Sequence, residues 1–178
     1  MRIRKLSSIG LIAFLSTLIA LFSGCNFIYE QDKKDIFNAY TAEDSLYINY
    51  TFKAEIKSIR NETIFFVKVD LEYFEQQYGD DEYATADGSK RWESAYSSFN
   101  HYAFELIPSS YRILVENGGY DLLTEGAEVT ISANDYYGWA GWKFPILSLS
   151  IGENTYLDFD TGLENYLNYV NARFKDSY

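Results

Sequence analysis

The run Tyr136-Tyr137-Gly138-Trp139-Ala140-Gly141-Trp142 carries the side chains with most to offer a ligand. Exposed aromatic planes of this kind stack on sugar rings or on peptide side chains, and the interspersed glycines leave room for a ligand to approach the backbone. A structural reading competes with this. In a chain of 3 tryptophans, 17 tyrosines and 13 phenylalanines, Trp139 or Trp142 can equally plug the end of a core. Groups for covalent or metal chemistry are sparse. His101 is the only histidine and Cys25 the only thiol, so neither a His-rich metal site nor a disulfide can form within the chain. No Gly-x-Ser-x-Gly elbow occurs. Asp80, Asp81, Glu82 and Asp87 offer hard oxygens but lack the alternating spacing of a calcium loop. Carboxylates are plentiful enough for glycosidase chemistry, yet nothing in the sequence sets two of them across a cleft. Asp158 and Asp160 fit better at a helix start, where negative charge complements the dipole. These observations point to no catalytic residue, no metal and no cofactor. They leave Tyr136, Tyr137, Trp139 and Trp142 as the ligand-binding candidates.

The elements that must position this run are mostly strands. Leu46, Ile48, Tyr50, Phe52, Ala54 and Ile56 alternate with polar or intervening residues, a period of two that marks a half-buried strand. After Arg60-Asn61-Glu62, the positions Phe65, Val67, Val69, Leu71 and Tyr73 alternate again, so the two runs read as an antiparallel hairpin. The stretch from Gln76 to Asn100 loses the pattern and reads as a surface excursion, with a short helix over Lys90 to Phe99. A third strand from Tyr102 to Ile107 ends at Pro108. Ser109-Ser110 then opens a short helix that Gly118-Gly119 closes. Ala127 to Ala133 is the fourth strand. Ile146 to Ile151 and Thr155 to Phe159 flank Gly152-Glu153-Asn154 as a second hairpin. The chain ends in a helix with Thr161 and Glu164 at capping-box spacing and Leu163, Tyr166, Leu167, Val170 and Phe174 on one face.

The first residues follow a different logic. Arg2, Arg4 and Lys5 precede an uncharged apolar run from Leu6 to Phe22, followed by the small residues Ser23 and Gly24 and then Cys25, the parts of a secretory signal. Phe22-Ser23-Gly24-Cys25 resembles a bacterial lipobox. The resemblance implies that residues 1–24 are a lipoprotein signal peptide and that Cys25 is diacylated, with palmitate as one candidate acyl chain. Residues 25–44 then form a lipidated, polar tether with a helical turn near Asp35 to Tyr40, and residues 45–178 form a single mainly β domain. The tail Tyr156-Leu157-Asp158-Phe159-Asp160-Thr161-Gly162 is similar to small uncharacterised lipoproteins of Gram-positive type. The order of two long strands, a third strand, a short helix and a fourth strand over Ser45 to Ile151 resembles an oligonucleotide/oligosaccharide-binding (OB) barrel. It implies a small OB-like or related antiparallel barrel, with a short helix before strand four and a C-terminal helix.

Loss of the leader removes Arg2, Arg4 and Lys5, three positive charges, from a net charge of −11, leaving −14. A surface this acidic repels phosphate backbones and anionic lipid headgroups, which disfavours nucleic acid as a partner. The sequence thus leads to the expectation of a lipid-anchored lipoprotein on the extracytoplasmic face of the cell membrane, held there through Cys25. Its folded part is expected to be a non-catalytic module that binds an envelope glycan or peptide. The alternatives are an accessory or structural subunit of an envelope protein complex and, with least support, an extracellular hydrolase.

Overall fold

The computed structural model describes residues 34–41, 45–80, 88–136 and 143–175. The chain divides into two units, Met1–Asp35 and Ile36–Tyr178, and the described residues lie almost wholly in the second. Cys25, residues 1–24 and the acidic run from Asp81 to Asp87 fall outside the described residues.

Strand β1 (Asn49–Asn61) buries every second residue, sending Tyr50, Phe52, Ala54 and Ile56 inward. On one flank it pairs antiparallel with β2 (Ile64–Val69), which contributes Phe65, Val67 and Val69 to the core. On the other flank β4 (Glu128–Asn134) runs antiparallel in a register that sets Tyr50 opposite Ala133, Phe52 opposite Ile131 and Ala54 opposite Val129. Large residues thus face small or medium ones across the ladder, which lets side chains of unequal size share the space between the strands. No glycine relieves β1. Its bend comes from register irregularities between Ile56 and Ser58 and between Ile59 and Asn61, where a bulge increases the local twist.

The sheet is completed by β3 (Ala103–Glu105), β5 (Lys143–Pro145), β6 (Ser148–Ile151) and β7 (Asn154–Leu157), in the order β5-β3-β2-β1-β4-β6-β7. It curls into half a barrel rather than a closed one. The expectation of a purely antiparallel arrangement is corrected: β3 and β5 run parallel, with Phe104 opposite Phe144. Only Ile146 and Leu147 separate β5 from β6, so one continuous stretch of chain bonds to β3 with its first half and to β4 with its second.

Among the described residues, five helices flank the sheet. Residues 34–41 are helical (α1), followed by α2 (Leu71–Tyr78), α3 (Arg91–His101), α4 (Pro108–Glu116) and α5 (Phe159–Lys175), with a single 3-10 turn at Tyr120–Leu122 after α4. Helix α2 replaces the end of the expected second strand. Asp70 stops β2 by accepting the Tyr73 N–H at 3.1 Å as an N-cap, so Leu71 and Tyr73 leave the sheet despite continuing its alternation. Where β2 has turned away, the Tyr78 hydroxyl takes its place on the β1 edge, accepting from Thr51 N at 2.7 Å and donating to Thr51 O at 3.1 Å. Helix α4 begins with Pro108 in its first turn, one position ahead of the expected Ser109-Ser110 cap, and Ser110 is buried. In α5 the capping group is Asp158, which accepts from Thr161 N at 2.9 Å and from Thr161 Oγ1 at 2.8 Å, rather than Thr161 itself. Those two hydrogen bonds hold the Asp158 carboxyl below its ordinary value.

The core under α2 and α3 is an aromatic cluster. Phe99 stacks on Phe52 with centroids 4.9 Å apart and meets Phe144 edge-on at 4.8 Å, while Phe74 stacks on Tyr50 at 5.3 Å. Such pairs contribute about 0.5–1.5 kcal/mol each beyond their burial, and they hold together a domain that has no disulfide. The segment assigned by sequence to the tether is partly folded. Ile36, Ala39 and Tyr40 in α1 are buried, so the packed structure reaches back to Ile36.

Candidate functional site

Of the expected ligand-binding residues, the structure describes Tyr136, whereas Tyr137, Trp139 and Trp142 lie outside the described residues. What it does define is how the two stems of that loop are held. The entry stem follows directly from the last residue of β4. Asn134 is fully buried, and its side-chain amide donates to Ala39 O and to Asn49 Oδ1, both at 2.8 Å, while its Oδ1 accepts from Tyr136 N at 2.8 Å. A buried amide with both its donor and acceptor sides engaged fixes α1, the start of β1 and the loop stem relative to one another.

Asp135 makes the next connection. It accepts from Ile48 N at 2.9 Å and is gripped in a two-pronged contact by Arg91 at the start of α3, with Nε at 2.9 Å from Oδ2 and Nη2 at 3.3 Å from Oδ1. Both partners are mostly shielded from solvent, so the pair is screened less than a surface ion pair would be. Tyr136 in turn accepts at its carbonyl from the Tyr40 hydroxyl at 3.0 Å, and its ring meets Tyr47 edge-on at 4.6 Å. The exit stem is β5, fixed by its parallel ladder to β3 and by an ion pair from Lys143 Nζ to Glu105 Oε1 at 2.8 Å. The loop is therefore strung between two rigid stems, an arrangement that lowers the ordering cost of binding.

Beneath the entry stem, the Tyr40 and Tyr166 rings lie 5.0 Å apart and join α1 to α5. Burial pushes the Tyr40 phenol well above its ordinary value, with Tyr166 adding to the effect, and burial pushes Tyr166 up to about 12. A raised folded-state value means that the unfolded chain gives up these protons first. The stability these phenols contribute is therefore fully present below about pH 10 and is lost as pH rises toward 12. Urea midpoints measured between pH 9 and pH 12 should fall over that range, and Tyr166→Phe should flatten the fall. An equally steep fall in the variant would disprove this.

The residues that hold Tyr136 and the stem leading into 137–142, namely Asn134, Asp135, Arg91, Tyr40 and Tyr47, are not among those the sequence singles out. The available signal was Asn134-Asp135 at the end of an alternating run, which reads as an ordinary turn. A second feature, an open concavity of about 680 Å³ on the sheet, is lined by Lys53, Glu55, Lys68, Glu72, Glu128 and Thr130. Glu55 lies directly opposite Lys68 on β2 and Glu128 on β4, which makes this surface mixed in charge. Among the described residues, no group of three or more His, Cys, Asp or Glu side chains gathers as a metal site requires, and no helix is long and apolar enough to cross a membrane. His101 sits in the last turn of α3 with its ring edge-on to Tyr102 at 4.8 Å. No protein-family model, no curated protein and no solved structure matches the chain.

Proposed function

We propose that this chain is a lipid-anchored extracytoplasmic lipoprotein whose folded domain is a non-catalytic binding module for an envelope glycan or peptide, with Tyr136 to Trp142 as its contact segment. The observation that carries the reading is the double fixation of that segment. Asn134, Asp135 and Tyr136 tie its entry to α1, β1 and α3, and the β3–β5 ladder with Lys143 and Glu105 ties its exit. A connection rich in tryptophan and tyrosine, held at both ends and opening from the end of a sheet, is how a rigid scaffold presents a recognition loop.

The finer architecture in this proposal is an OB-like barrel. Its support is the placement of α4 between β3 and β4 and the continuous stretch from Lys143 to Ile151, which serves both ends of the curled sheet as a partly open barrel would need. The lipid anchor is supported by the basic residues, the apolar run and the Ser23-Gly24-Cys25 junction together.

Incubation with cell-wall polymers tests the binding. The wild-type protein should co-sediment with them, and a Trp139→Ala, Trp142→Ala double variant should lose most of that retention while melting as the wild type does. A well-placed aromatic contact contributes about 0.5–1.5 kcal/mol beyond its burial, so loss of two should weaken retention roughly tenfold. Lack of retention by the wild type, or undiminished retention by the variant, would reject the assignment.

A further inference from the structure

We infer that the end of the domain built by α1, residues 45–47 and the Tyr136 stem lies against the lipid headgroup layer, so that a ligand of the neighbouring loop is met at headgroup depth. This rests on the lipid-anchor reading of Cys25 and adds an orientation to it.

The first support is covalent reach. Only residues 26–33 separate Cys25 from α1, and even at full extension of about 3.5 Å per residue the start of α1 stays within roughly 32 Å of the acylated cysteine. The second is that α1 cannot swing away from the domain. Ile36, Ala39 and Tyr40 are buried, the Ala39 carbonyl accepts from Asn134, and the Tyr40 hydroxyl reaches Tyr136 O. An anchor attached just before α1 therefore acts on the end of the sheet where β4 finishes.

The third support is what that end exposes. Leu46 is 82 % exposed, Phe37 56 % and Tyr47 38 %. Single exposed apolar residues are ordinary, but these three fall within one short stretch beside the anchor. Ser45 ties that stretch to α1, because its hydroxyl donates to Ala39 O at 3.3 Å and accepts from Tyr47 N at 3.1 Å. Tyrosine and aliphatic side chains of this kind favour the membrane–water interface. The opposite end is the turn where the Gly126 N–H donates to Ile56 O, about 23 Å along β1 from Asn49 at 3.3 Å per residue.

Acylation of Cys25 leaves no free thiol, so Leu46→Cys or Leu122→Cys provides a unique site for a bimane label. Leu122 is 45 % exposed and lies at the opposite end. The full-length lipidated protein is reconstituted in vesicles of equimolar phosphatidylcholine and phosphatidylglycerol carrying a headgroup nitroxide. The same preparation is grown with labelled palmitate. Bimane at position 46 should be quenched several-fold more than bimane at position 122. Equal quenching at the two positions, or none at 46, in protein that carries the acyl label overturns the orientation and leaves the anchor standing. Protein without the label overturns the anchor and this inference with it.

Discussion

Replacing Gly162 by alanine is expected to destabilise the domain by about 3 kcal/mol or more, the upper part of the usual range for overpacking a closely fitted site. In most helices the same change stabilises by about 1 kcal/mol, because glycine is a poor helix former. The opposite sign follows from what the first turn of α5 rests on. A Cβ at Gly162 would overlap the Leu147 carbonyl oxygen and lie 2.6 Å from the Leu147 carbonyl carbon. Leu147 is fully buried and sits at the step between β5 and β6, where its N–H bonds to Ser132 O at 2.9 Å. Backbone pinned in this way cannot yield, so α5 must lift off, and the contact of Tyr166 with Tyr40 is strained with it. At roughly 2–4 °C per kcal/mol for a chain of this size, the melting temperature should drop by about 10 °C in calorimetry. Gly119→Ala should also destabilise. Its Cβ would lie 2.5 Å from the Tyr156 ring and 2.8 Å from Tyr156 Cβ, and rotation can move the ring but not that Cβ, so the backbone must shift here too. A Gly162→Ala protein as stable as the wild type would show that α5 does not seat on this bend.

Elements whose burial is set by their own period were legible in the sequence. β1 buries Tyr50, Phe52, Ala54 and Ile56, although Leu46 is exposed ahead of the strand; β4 buries Val129, Ile131 and Ala133; and in the C-terminal helix Tyr166 and Val170 are buried while Leu163 and Leu167 are half-buried. The second strand was overextended because Leu71 and Tyr73 keep the alternation, and the competing interaction, the Asp70 side chain on the Tyr73 amide, is a single hydrogen bond that periodicity does not register. The helical turn near Asp35 to Tyr40 was legible, but it was read as part of the tether although Ile36, Ala39 and Tyr40 share one buried face, since the charged residues around them dominate the composition. The parallel pairing of β3 with β5 joins residues some 40 positions apart through three-residue strands, and no local pattern encodes it. The frame of the loop was hidden for the same reason. Asn134 and Asp135 find Ala39, Ile48 and Arg91 across separations of 95, 87 and 44 residues, so their types suggest a turn while their partners are visible only in the fold.

Asn134 is where the loop and the fold depend on one side chain, and its loss should affect both. Asn134→Ala leaves the Tyr136 amide without its partner in a buried setting, at a cost of about 1–3 kcal/mol, and leaves the Ala39 carbonyl with only the 3.3 Å hydrogen bond from Ser45, so a net loss of about 2–3 kcal/mol is expected in urea unfolding with the slope unchanged. Asn134→Asp is predicted to be worse despite its similar shape. The carboxylate can still accept from Tyr136 N, but its second oxygen would sit against the Ala39 carbonyl and Asn49 Oδ1 with no hydrogen to share between them. That ranking distinguishes a hydrogen-bond role from a space-filling one, since a role in packing alone would leave the isosteric aspartate the milder change. Hydrogen exchange gives an independent readout. The Tyr136 amide, protected in the wild type by Asn134 Oδ1, should exchange faster in Asn134→Ala, whereas the Val129 and Ile131 amides in the middle of β4 keep their protection. A Tyr136 amide that stays protected in Asn134→Ala, or an aspartate variant more stable than the alanine one, would remove Asn134 from its place as the fixed point of the stem that leads into residues 137–142. If both variants behave as predicted, retention on cell-wall polymers should also weaken in Asn134→Ala although every aromatic side chain of the loop is intact, because an unpinned stem restores the ordering cost that the frame removes.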